Sequence, residues 1–180
     1  KVFRHKLAET LQHAQEHYPE LLQDRAWLER LRVSAEGVFE VACSDLWLAN
    51  VEISDFKLVG DLLASRGDKT VQKVLDGDGR TLVLKQFQLG HLSQSKTFYR
   101  QAANMGKVVS QHVIRITGAF VDTSNGEPRG CIVMPFYEQG DLAKWIERHP
   151  NESKAACGRL AMGLLIGVGD LHTHGIVHCD

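Results

Sequence analysis

Apolar and polar positions along the chain change their period twice. Over the first 35 residues leucines and a tryptophan recur at helical spacing, with Leu7 and Leu11 in one stretch and Leu21, Trp27, Leu28 and Leu31 in another. Pro19 separates the two and suits a first helical turn, so a helical hairpin is predicted. Residues 38–51 are mixed and read as a connector, in which Trp47 and Leu48 are expected to be buried against the rest of the chain.

Beyond Phe56 the texture becomes short β-rich runs divided by turns. Strands are predicted at 56–63, 71–75, 81–87, 114–121 and 131–136, with a helix over 93–107 between the third and fourth. Asp76-Gly77-Asp78-Gly79 has some look of a calcium loop, but it lacks the downstream ligands and reads as a hairpin turn. Asp141 is a good N-cap for a short helix over 142–148. A longer helix is predicted over 153–173, and its Leu160, Leu164, Val168 and Leu171 form a stripe expected to face a core. The class is α+β: a five-stranded antiparallel sheet with one inserted helix, a helical segment before it and two helices after it.

Composition narrows the function classes. A formal net charge of -1 gives no general field toward nucleic acid or an anionic membrane. The longest nearly apolar run, 160–168, is about half of the ~20 residues a membrane span requires, so no membrane partner is expected. Cys43, Cys131, Cys157 and Cys179 are far apart and form no Cys-x-x-Cys pair, which suggests neither a zinc site nor a disulfide framework. An intracellular, cytoplasmic setting is the expectation. Starting at Lys1 and ending on a motif residue, the chain reads as a piece of something longer.

The order of elements, together with three motifs, resembles the eukaryotic-type protein kinase domain over residues 56–180. Leu171-His172-Thr173-His174-Gly175-Ile176-Val177-His178-Cys179-Asp180 is similar to the family's His-Arg-Asp catalytic loop, with Cys179 in place of the arginine. Thr81-Leu82-Val83-Leu84-Lys85 resembles the third-strand Val-Ala-Ile-Lys, and residues 132–142 resemble the hinge between lobes. The implied division is an N-terminal extension and connector at 1–55, the smaller lobe at 56–137, and the hinge exit with the start of the larger lobe at 138–180, cut at the catalytic-loop aspartate.

Several roles come with that resemblance. Lys85 would contact the α- and β-phosphates of ATP, and Asp180 would accept the proton of the attacking hydroxyl. Val71, Val83, Met134, Phe136, Tyr137, Asp141 and Leu142 would line the nucleotide site, with Met134 the gatekeeper and Asp141 open to either ribose binding or helix capping. Met105, Ile116 and His178 would belong to the family's regulatory spine, with His178 packed. ATP with Mg2+ is the implied cofactor, the metal ligands falling beyond Asp180, and a protein hydroxyl is the implied acceptor.

The pattern departs from the family in three places. Counting back from Val71, the phosphate-cradling glycine positions fall on Ala64, Arg66 and Lys69, leaving only Gly67 at the tip, although Arg66 and Lys69 could supply charge instead. Gln101 stands where the family places the glutamate that pairs with the strand lysine, and Val83 stands where a small alanine packs over adenine. Between Gly79 and Val121 there is no Asp or Glu, while Arg80, Lys85, Lys96, Arg100, Lys107 and Arg115 make a basic patch. No aromatic interleaving accompanies the patch, so a solvated face or a docking surface for an acidic partner fits it better than a nucleic-acid site. Two readings result. One is a Ser/Thr protein kinase whose isolated piece is inactive; the other is a pseudokinase serving as a binding module through its N-terminal helices or its basic helix.

Overall fold

The computed structural model describes residues 45–178. The helical hairpin expected over 1–35, together with Cys179 and Asp180, lies outside the described residues. The elements are β1 (Lys57–Arg66), β2 (Lys69–Leu75), β3 (Thr81–Gln88), α1 (Leu92–Lys107), β4 (Gly118–Asp122), β5 (Arg129–Pro135), α2 (Leu142–Arg148) and α3 (Lys154–Thr173). The five strands form one antiparallel sheet in the order β1-β2-β3-β5-β4, and the expected sheet with its inserted helix is what the structure shows.

Turn chemistry sets the register of the first three strands. Gly67 takes φ +59, a left-handed conformation that costs glycine nothing, so β1 and β2 close through Gly67 and Asp68 alone, with Arg66 opposite Lys69. β1 therefore runs past its predicted end to Arg66. The acidic tetrad is a hairpin turn, as expected. Asp76 Oδ1 accepts from the amides of Asp78 at 3.0 Å and Arg80 at 2.8 Å, and Gly79 closes the turn at φ +77.

Period-two alternation divides the sheet into two apolar faces. On one, Phe87, Ile132 and Ala119 pack with Ile116 and with Phe98, Ala102 and Ala103 of α1. Gly130 makes this possible, because a Cβ there would lie 2.5 Å from the Phe98 ring. On the other, Val74, Leu84, Phe120, Cys131 and Val133 are covered by Leu48, Val51, Ile53 and Phe56 of the connector, with Phe56 stacked on Phe120 at 5.8 Å. Leu46 and Leu48 bracket Ala119 with backbone hydrogen bonds of 2.7 and 2.9 Å, so the connector adds a short parallel rung to the β4 edge. Trp47 and Leu48 thus pack as predicted.

Two expectations need correction. β4 begins at Gly118 rather than near residue 114, because the segment before it leaves the ladder and crosses α3 at His112. Gly163 and Gly167 make that crossing close: a Cβ on Gly167 would sit 2.7 Å from the His112 carbonyl oxygen. Ser110 Oγ adds a hydrogen bond to Asp170 Oδ2 at 2.5 Å. The leucine stripe of α3 is not a core stripe among the described residues. Leu160, Leu164 and Val168 are 38%, 56% and 41% exposed, since the crossing loop covers the glycine side of the helix instead. No helix among the described residues is long and apolar enough to cross a membrane.

Candidate functional site

The register across three strands gathers most of the expected site residues on the face that also carries α1. Val71 and Ile132 lie directly opposite Lys85, and Lys73 and Met134 lie directly opposite Val83. Side chains in such rows project to the same side. The result is a half-buried apolar floor of Val71, Val83 and Met134 with the Lys85 stem beside it. A flat apolar ring fits the floor, and an anion fits the lysine end.

Lys85 holds its charge under pressure. Burial, and then the nearby positive charge of Lys69, push its pKa below the ordinary lysine value of 10.5. Its ammonium lies 5.3 Å from the centroid of the Phe87 ring, and Lys69 Nζ lies 5.9 Å from the same centroid. No carboxylate among the described residues pairs with either lysine. Gln101 is not engaged with Lys85: its amide donates to Met105 Sδ at 3.9 Å along α1.

After β5 the chain leaves the sheet through Phe136 and Tyr137. Phe136 is half-buried, with Lys73 Nζ 4.4 Å above its ring, while the Tyr137 side chain is 55% exposed. A turn closed by Gly140, at φ +73 with its amide bonded to the Tyr137 carbonyl at 3.1 Å, leads to α2. Asp141 caps that helix, its Oδ1 accepting from the Lys144 amide at 2.9 Å. The second carboxylate oxygen faces Lys144 Nζ at 4.0 Å. Leu142 is exposed at the start of α2. An open pocket of about 650 Å³ lies between α2, α3 and His112, lined in part by Leu142, Trp145, Leu160 and Leu164.

The three residues expected to stack as a spine are placed differently from one another. Ile116 is buried and Met105 packs against the same cluster, while His178 is exposed. The basic patch is smaller than its sequence suggests, because Arg80 is tied to Asp76 at 2.7 Å and Asp78 at 2.9 Å. Lys96 and Arg100 are exposed on α1. Lys69, expected as a source of charge for the phosphates, lies on this face; Lys73 was not among the expected nucleotide-site residues, and its signal was available in the period of two that links it to Val71 on β2. Among the described residues no cluster of three or more His, Cys, Asp and Glu could hold a metal ion.

The family model for the protein kinase domain matches residues 67–180. No curated protein matches the chain.

Proposed function

Since the chain belongs to the protein kinase domain family, we propose that it forms the nucleotide-binding side of a kinase that transfers the γ-phosphate of ATP to protein Ser or Thr hydroxyls. The observation that carries this reading is the shared row of Lys85 with Val71 and Ile132, next to the row of Val83 with Met134. It sets an ammonium beside an apolar slot at the edge from which the chain departs through Phe136. Lys85 holds the phosphates, and the extended backbone at Phe136 and Tyr137 meets the ring edge. Asp141 reaches the ribose with the carboxylate oxygen that does not cap α2, and Asp180 takes the hydroxyl proton. Mg2+ bound with the nucleotide would supply neutralisation of phosphate charge. The buried thiol of Cys131, raised to about 12 mainly by burial, and the exposed free Cys157 suit a reducing, intracellular setting.

A second reading is favoured by one observation: Gln101 spends its amide on Met105 and gives Lys85 no opposing charge. On this reading the protein is a pseudokinase whose exposed Lys96 and Arg100 dock an acidic partner protein. Thermal shift of the full-length protein with Mg-ATP, combined with radiolabel transfer to a Ser/Thr peptide, separates the two. Stabilisation with transfer that Asp180→Asn abolishes supports the kinase; no stabilisation at millimolar nucleotide removes both ATP binding and catalysis.

A further inference from the structure

Lys69 occupies a place in the strand ladder that puts it on the Lys85 side of the sheet, near enough for its charge to press on the Lys85 ammonium. It lies opposite Phe87, one row beyond the pair of Val71 and Lys85, on the same side of the sheet. The two ammonium groups share one aromatic ring, at 5.9 and 5.3 Å from its centroid. Like charges held this close repel, and neither has a carboxylate partner among the described residues. Such a pair gains from an anion broad enough to meet both groups at once.

The adjoining hairpin has few free backbone amides to offer an anion. Arg66 pairs with Lys69 and Lys69 with Phe87, so the backbone on both sides of the turn is committed to the ladder. The Gln88 amide is likewise spent, donating to the Asp68 carbonyl at 3.0 Å. A wide glycine loop presents a series of free amides to phosphate oxygens; here a tight turn presents side chains.

We propose that Lys69 and Lys85 form a two-ammonium clamp for a linear polyphosphate, with Lys69 supplying the charge that free backbone amides would otherwise supply. The inference rests on the nucleotide-binding reading of this face and names a second phosphate-binding residue within it. One ammonium meets the phosphates nearer the ring, and the other meets those farther out. Binding relieves the repulsion between them.

Calorimetric titration of the purified protein with ATP, inorganic triphosphate and adenosine tests the clamp. Lys69→Met should weaken ATP and triphosphate about ten- to hundredfold, the loss of one charge-assisted contact, and leave adenosine unchanged. Lys69→Arg should retain most of the affinity, and Lys96→Met, on the outer side of α1, should change nothing. Lys69→Gln is the second neutral variant should the methionine form unfold. Equal ATP and triphosphate affinity in wild type and both neutral variants would overturn the clamp, as would wild-type protein that binds ATP no more tightly than adenosine. Triphosphate binding that needs Lys69, without adenosine binding, would uphold the clamp and remove the nucleotide reading. No binding of ATP or triphosphate would remove both.

Discussion

The side-chain amide of Gln101 donates to Met105 Sδ at 3.9 Å, one turn along α1, and leaves the Lys85 ammonium to the face of Phe87. A carboxylate cannot donate to sulfur, so Gln101→Glu frees position 101 from that contact and supplies the charge Lys85 lacks. The variant should raise the Lys85 pKa toward 10.5 and tighten ATP binding several-fold. Heteronuclear NMR titration of the lysine side chain, alongside nucleotide affinity, checks this. An unmoved Lys85 would mean that α1 holds position 101 out of reach.

Lys85 also bears on stability. Its folded pKa lies below the unfolded value of 10.5, so the unfolded chain binds more protons between the two values, and stability rises with pH through that window. Below the window the charged, half-buried ammonium is a penalty. Lys85→Met should therefore be at least as stable as wild type at pH 7, with its advantage shrinking as pH approaches 10.5. Denaturant midpoints at pH 7 and near pH 10 measure it. A less stable variant at pH 7 would show that the ammonium has a stabilising partner after all.

Val83 narrows the slot in which a flat ring would lie, facing Lys73 on one side and Met134 on the other. Val83→Ala should strengthen adenosine and ATP binding by about tenfold, the equivalent of removing ~1–2 kcal/mol of overpacking. Affinity that falls instead would place the ring elsewhere.

The connector is held by two glycines. A Cβ on Gly118 would come within 2.4 Å of Leu48, and one on Gly106 within 2.8 Å of Leu46. Gly118→Ala should cost about 1–3 kcal/mol of folding stability by overpacking, and Leu48→Ala in the same chain should recover part of it. Additive losses in the double-mutant cycle would show that the two positions do not meet.

Local features of the chain were legible because their partners lie a few residues away. Asp141 caps α2 through the amide of Lys144, Ser153 caps α3 through that of Ala156, and Asp76 closes its own turn. The alternation around Lys85 likewise marks a strand wherever it is placed, and the order of strands and helices comes from such signals. The exposed stripe of α3 shows the limit: periodicity reveals an apolar face, but not what covers it.

Among the described residues the sequence alone determined the elements, their ends to within a few residues, and the identity of the lysine on the central strand, since backbone propensity, capping and side-chain period act over a single turn or strand. Tertiary structure decided that Lys69 lies over the same aromatic ring as Lys85, that Gln101 turns to Met105, and that the connector docks on Gly118. Those outcomes depend on the register between strands far apart in the chain and on which atoms remain free after packing. No local period carries that information.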